Sequence, residues 1–284
     1  KPTQHSCKEL MGMGIIPDLI VTRTSYPLTQ DIKEKISLFC NISSKNVIEN
    51  LDADSIYDVP LMFEKQNVAQ IVMNKLGLKE TKNDLIEWHD LCKSNKKIDE
   101  TVEIALVGKY VSLHDAYISI YEALNHAGVF NGVNVKIRWV DSEKIEEETA
   151  EKLLKGVDGV IVPGGFGNRG IEGIISAIKY ARQNDIPLFG ICLGMQLMVI
   201  EYFRNIIKKA DANSLEFDEN TKTPVINIME DQVNVTQKGA TMRLGKYPCT
   251  LDIGTKSYDA YKENLIYERH RHRYEFNNDY RNMA

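Results

Sequence analysis

Apolar and polar positions along this chain fall into blocks whose period switches from that of a strand to that of a helix and back. The switching is regular from residue 101 onward. "VEIALVGKY" reads as a strand ending in a glycine turn, and "DAYISIYEALNHAG" as an amphipathic helix closed by Gly128. "NVKIRWVDS", "DGVIVPGG" and "IPLFGI" read as strands, separated by the helical stretches "EEETAEKLLKG" and "GIEGIISAIKYARQN", and "GMQLMVIEYFRN" follows as a further helix. Strands alternating with helices across short turns predict a largely parallel sheet covered on both faces. In such folds ligands gather at the carboxyl ends of the strands, so the residues just after each strand are the candidates for chemistry.

The first 78 residues show the same grammar less completely. A helix end and a glycine turn lead into the strand "PDLIVTR". Then come helical spacing at Ile32, Ile36 and Phe39, the strand "NVIENL", and one helix ending near Gly77. These read as the last units of an α/β domain. Residues 79–100 are polar apart from Leu85, Trp88 and Leu91, which predicts a linker with one helix.

Composition narrows the class. The chain has 284 residues, 43% hydrophobic and 26% charged, with a net charge of −5 and a pI near 5.8. No basic stretch dominates, which argues against nucleic acid as a partner. No apolar run reaches the roughly 20 residues of a membrane span, and no signal peptide is visible. The five cysteines are scattered without a C-x-x-C pair, which fits a reducing compartment, so a cytoplasmic protein is expected.

Two strand ends carry the candidate chemistry. "VIVPGGFGNRG" and "LFGICLGMQ" are joined by one helix and therefore belong to one β-α-β unit. Gly190-x-Cys192-x-Gly194 has the grammar of a nucleophile elbow with cysteine in place of serine. A tight strand-to-helix turn leaves no room for side chains, hence the glycines. At a helix N-terminus the dipole favours thiolate, and the amide after Cys192 is free to face an oxyanion. The competing reading of Cys192 is a buried packing thiol, since free cysteine is among the most buried residue types.

"PGGFGNRG" followed by "GICLGMQ" resembles the class-I glutamine amidotransferases, which hydrolyse glutamine to release ammonia. "KPTQHS", "DSIYDVP", "VGKY", "TMRLG" and "ERHRHRYE" extend the resemblance, in order, to the CTP synthase family over essentially the whole chain. The resemblance implies the C-terminal part of an α/β amidoligase (synthetase) domain over 1–78 and a linker over 79–101. It then implies a class-I glutaminase domain with a mostly parallel sheet over 102–284, lacking its C-terminal His/Glu segment. The implied reaction is ATP-dependent amination of UTP to CTP with ammonia from glutamine. Carried over by motif, Cys192 is the nucleophile and Gly165 and Leu193 supply the oxyanion-hole amides. Gln196, Glu216 and Arg273 hold the glutamine, and Lys1, Gln4 and Lys35 bind UTP or, as feedback inhibitor, CTP. A guanidinium matches a carboxylate and a glutamate matches an α-ammonium, so the charges suit these roles. The resemblance further implies ATP with Mg²⁺ held mostly before residue 1, with no metal in this chain. GTP is implied as activator near Arg169 and "TMRLG", along with homotetramers that stack into filaments and no membrane partner.

The chain departs from the family pattern in three places. The catalytic histidine and its glutamate come from a His-Pro-Glu motif that these residues do not contain, and His270 and His272 occupy a different position. The ATP phosphate loop is also missing, and Ala240 stands where the family commonly has glycine. The 284 residues alone are therefore expected to hydrolyse glutamine negligibly, lacking the base and the acid that protonates departing ammonia. Two rival readings are another elbow hydrolase of the same fold and a non-enzymatic truncated paralogue that binds nucleotide or assembles with full subunits.

Overall fold

The structure, a computed structural model, describes residues 2–79, 81, 84–95, 98–233, 235 and 245–284. The chain folds as two compact units, residues 1–98 and 99–284.

In the first unit, strands β1 (Ile20–Thr24) and β2 (Val47–Leu51) pair in parallel, with Thr22 opposite Glu49. Helices α1 (Pro2–Gly12) and α2 (Gln30–Cys40) meet over a small core of Cys7, Ile20, Ile36, Cys40 and Val47. The single helix expected to end near Gly77 is two, α3 (Asp58–Glu64) and α4 (Val68–Leu76). The break has a local cause. Asn67 takes a left-handed conformation (φ 56°), and the Gln66 side chain leaves the helical path to pair with β2. It accepts from the Glu49 amide at 2.9 Å and donates to the Glu49 carbonyl at 2.8 Å. Helix α5 (Ile86–Asn95) docks through the Trp88 indole N–H, which donates to the Tyr57 carbonyl at 2.8 Å.

The second unit is built on a parallel sheet of β4 (Asn134–Asp141), β3 (Thr101–Gly108), β5 (Gly159–Val162) and β6 (Leu188–Gly190), in that order. The period-two alternation is visible in what each side chain meets. Ala105, Val107, Val160 and Val162 face a core with Ile174 and Ile178 of α8 (Ile171–Gln183) and Leu197 and Ile200 of α9 (Leu193–Asn205). Leu106 and Ile161 point the other way, toward Tyr117 and toward Ile120 and Leu124 of α6 (Ile118–Asn131). Both faces are covered, which is why the strands read as near-continuous apolar runs.

Gly128 does not close α6. The helix continues to Asn131 and ends on Gly132 at φ 71°, a conformation suited to glycine. Gly128 is buried inside the helix, where a β-carbon would stand 2.6 Å from the Val133 carbonyl oxygen. The short α7 (Ala150–Leu154) follows β4. Beyond α9, where the sequence pattern assigns no elements, the chain adds a second small sheet. In it β8 (Thr223–Ile228) lies between β7 (Ala212–Ser214) and the antiparallel β11 (Tyr274–Phe276). An antiparallel pair, β9 (Gly245–Thr250) and β10 (Leu265–His270), flanks the one-and-a-half-turn α10 (Lys256–Tyr261). Among the described residues no helix is long and apolar enough to cross a membrane.

Candidate active site

Cys192 sits between β6 and α9 with φ 54° and ψ −106°, a strained backbone for a residue bearing a side chain. The flanking glycines explain how the turn closes. A β-carbon on Gly190 would stand 2.5 Å from the Gly194 carbonyl carbon, and one on Gly194 would stand 2.2 Å from the Val162 carbonyl oxygen. The elbow is thus pressed between the start of α9 and the end of β5.

That strand end supplies the facing wall. Gly164 lies against Cys192, since a β-carbon there would be 3.5 Å from its Cβ and 3.9 Å from its Sγ. The same position on Gly165 would be 3.1 Å from Leu193 Cδ2, so Gly165 and Leu193 face each other across the elbow. Burial pushes the Cys192 thiol above its usual range. The Leu193 backbone amide pulls it back, and the Glu216 carboxylate adds to the rise. The helix-terminal amide acts in the expected direction, toward thiolate, but withdrawal from water outweighs it.

A cavity of about 490 Å³ opens in front of the sulfur, and Gly165, Cys192, Gln196, Glu216 and Arg273 all line it. The structure thereby brings together five residues from four separate stretches of the chain. Gln196 is buried and donates through Nε2 to the Tyr274 carbonyl at 3.1 Å, which ties α9 to β11. Glu216 follows β7 and accepts the Gly167 amide on Oε1 at 3.1 Å. Arg273, just before β11, donates through one terminal nitrogen to the carbonyls of Gln232 (3.2 Å) and Val235 (3.4 Å). Its Nε is buried and has no hydrogen-bond partner among the described residues. A buried guanidinium donor left unpaired beside a cavity is costly unless a ligand completes it.

Phe166, Gly167, Arg271, His272 and Tyr274 also line the cavity and received no site role from the sequence. Burial and the neighbouring His270 push His272 below the usual histidine range, which favours its neutral form. Lys109 was visible in "VGKY" only as part of a motif. In the structure it is 5% exposed and donates through Nζ to the carbonyls of Phe166 (3.1 Å) and Gly167. Leu193 itself is fully buried at the first turn of α9.

The remaining candidates lie elsewhere. Gln4 is half-buried on α1 and Lys35 exposed on α2, helices that pack against each other in the first unit. Lys1 lies outside the described residues, as do Ala240 and all of "TMRLG" except Gly245. Arg169 is committed to an ion pair with Glu143 (2.7 Å), donates to the Lys109 carbonyl and rests over the Tyr110 ring.

With this geometry in place, comparison with known proteins gives consistent matches. The model for glutamine amidotransferase class-I matches residues 112–283. The chain belongs to the class-I glutamine amidotransferase family. The model for the CTP synthase N-terminus matches residues 1–78 of this amidotransferase. Over 283 residues it is 57% identical to a CTP synthase from Caldanaerobacter subterraneus subsp. tengcongensis, covering 100% of this chain and 53% of that protein. Over 281 residues it is 54% identical to the CTP synthase of Clostridium acetobutylicum, covering 99% of this chain and 52% of that protein. The chain spans about half the length of the curated relatives it matches. Among solved structures it resembles the glutaminase domain of Trypanosoma brucei CTPS with bound acivicin, at a TM-score of 0.57 and 42% identity. That likeness covers 63% of this chain and 69% of the other.

Proposed function

We propose that this chain carries the glutamine-hydrolysing site, and part of the nucleotide-binding half, of a cytoplasmic CTP synthase. One observation carries the reading: Arg273, whose buried Nε has no hydrogen-bond partner among the described residues, shares a cavity with Cys192 and Glu216. A guanidinium and a carboxylate in one cavity match the α-carboxylate and α-ammonium of a free amino acid, leaving the side-chain amide for the sulfur. Gln196 closes the wall behind it.

In this reading the Cys192 thiolate attacks the γ-amide carbon and the C–N bond breaks. Ammonia leaves with a proton, and a γ-glutamyl thioester forms that water then cleaves to glutamate. The oxygen gains charge as the tetrahedral intermediate forms, between the amides assigned at Gly165 and Leu193. Because burial holds the thiol protonated at rest, the reaction needs a base to take its proton. In the proposed reading that base is the histidine of a His-Pro-Glu motif, which these 284 residues do not contain. The ammonia displaces phosphate from the ATP-activated 4-oxygen of UTP, giving CTP. Gln4 and Lys35, with Lys1, are this chain's contribution to the UTP and CTP pocket. ATP and Mg²⁺ belong to the preceding part of the amidoligase domain. Among the described residues no cluster of three or more His, Cys, Asp or Glu is placed to hold a metal ion. GTP as activator near Arg169, and a homotetramer that stacks into filaments, complete the proposal.

The test is Cys192→Ala in the full-length protein. CTP formation from UTP, ATP and glutamine should fall below detection, while formation from UTP, ATP and added ammonia stays near the wild-type rate. Equal loss of both would make Cys192 structural and overturn the reading.

A further inference from the structure

We infer that Lys109 is a positioning residue whose buried ammonium fixes the Gly165–Gly167 segment, and with it the Gly165 amide, against the cavity in front of Cys192. The inference deepens the glutaminase reading above and rests on it. Three of the four residues from Gly164 to Gly167 are glycines, so this backbone has little conformational preference of its own and must be held from outside. Lys109 holds it from beneath. Its stem packs under Gly165, with Cδ and Cε 3.6 and 3.8 Å from where a β-carbon would stand. Its Nζ donates to two successive carbonyls, those of Phe166 and Gly167, which sets the planes of the Phe166–Gly167 and Gly167–Asn168 peptide groups, one residue beyond Gly165.

Lys109 is itself anchored at the end of β3. Its amide and that of Tyr110 both donate to the Tyr117 hydroxyl, at 3.2 and 3.3 Å, and its carbonyl accepts from Arg169 at 3.3 Å. On the far side Glu216 takes the Gly167 amide. The segment is therefore clamped between an ammonium that reads its carbonyls and a carboxylate that reads its amide. Losing the ammonium frees the carbonyls to turn and lets the Gly165 amide leave the position a developing oxyanion needs. Lys109 is assigned no contact with the substrate, and its charged neighbour Glu216 keeps its own hydrogen bond to the Gly167 amide, so the effect belongs to turnover more than to binding.

The experiment compares Lys109→Met with wild type in the full-length protein, using glutamine and two covalent probes. Glutamate γ-semialdehyde adds the Cys192 S–H across its C=O, sulfur to carbon and proton to oxygen, and that oxygen occupies the oxyanion position. Iodoacetamide alkylates the same sulfur with loss of iodide and needs no oxyanion hole. For K109M we expect kcat for glutamine hydrolysis to fall about 10- to 100-fold, up to the loss of one oxyanion donor. KM should move by less than about threefold, the signature of an interaction made in the transition state. Inhibition by the aldehyde should weaken in parallel with kcat, while iodoacetamide labelling of Cys192 and ammonia-dependent CTP formation hold their wild-type rates. Aldehyde inhibition equal to wild type would overturn the inference, and so would parallel loss of aldehyde and iodoacetamide reactivity, which would mean that the pocket had collapsed. Lys109→Gln, which keeps a donor too short to reach both carbonyls, is read the same way if K109M does not fold. A wild-type protein that neither hydrolyses glutamine nor captures the aldehyde would overturn the glutaminase reading itself, and this inference with it.

Discussion

Cys192 illustrates how a single residue is tuned by opposing surroundings. Its strained backbone aims the sulfur at the cavity, the Leu193 amide favours the anion, and burial together with Glu216 favours the thiol. Burial wins, and this fixes the sign of the pH response. A raised thiol pKa means that the reactive thiolate is scarce at neutral pH and grows as pH rises through and beyond the usual thiol range. Iodoacetamide labelling of Cys192 in these 284 residues should therefore be slow at pH 7 and still be accelerating above pH 8.5, where a free thiol is already half ionised. A profile that levels off below pH 7 would contradict this. Glu216→Gln removes one of the groups that favour the thiol, so at a fixed pH near 7.5 its labelling should be faster than wild type. In the full-length protein the same change should raise KM for glutamine by about 10- to 100-fold, the worth of one hydrogen bond to a charged group. Unchanged labelling and unchanged KM would remove Glu216 from the site.

At the level of elements, the elbow works because β5, β6 and α9 approach more closely than side chains permit. Gly194 and Gly164 make opposite predictions from the same geometry. Ala at 194 puts a methyl 2.2 Å from the Val162 carbonyl oxygen, a backbone atom that moves only if α9 moves. Gly194→Ala should lose about 3 kcal/mol or more of stability in urea unfolding, at the upper end of overpacking costs. Gly164→Ala places its methyl at an ordinary 3.5 Å contact and should lose under about 1 kcal/mol while crowding the sulfur. Equal losses would mean that the elbow relaxes freely. The elements themselves were largely legible, because β3, β5, α8 and α9 are set by local periodicity that packing reinforces. The misses have local physical causes. The Gln66 side chain captured β2 and broke one helix into two, and Gly128 served close packing where it looked like a cap. After α9 the strands are short and partly exposed, so their periodicity is weak. In the site, Cys192 and Gly165 were legible from turn chemistry. Glu216 and Arg273 came only through the family resemblance, because the segments after α9 carry no local signal that they converge with the ends of β5 and β6 on one cavity. Lys109 was hidden because a lysine one residue past a strand reads as solvated surface until the segment above it is seen.

The whole molecule is two units with unequal interiors. In the second, apolar side chains cover both faces of a parallel sheet, and Leu106, Leu154, Ile174, Ile178, Leu197, Ile200 and Phe203 are all but sealed from water. In the first, the main cluster is Cys7, Ile20, Ile36, Cys40 and Val47, while Ile15, Ile16, Leu38, Phe39 and Leu78 stand exposed. Burial of apolar surface is the dominant favourable contribution to folding, and a unit of under 100 residues has little to spare. These 284 residues should accordingly unfold in two steps, the first unit at lower urea. The sequence provides its own reporters, since it has two tryptophans, one in each unit. Trp88 lies edge-on to Tyr57 and donates to its carbonyl, and Trp139 on β4 stacks on His114 with ring centroids 4.2 Å apart. Fluorescence of Trp139→Phe then follows the first unit alone, and that of Trp88→Phe follows the second. The W139F transition should have the lower midpoint and the smaller m-value, because m scales with the surface exposed on unfolding. Coincident transitions in the two variants would show a single cooperative unit and contradict the division.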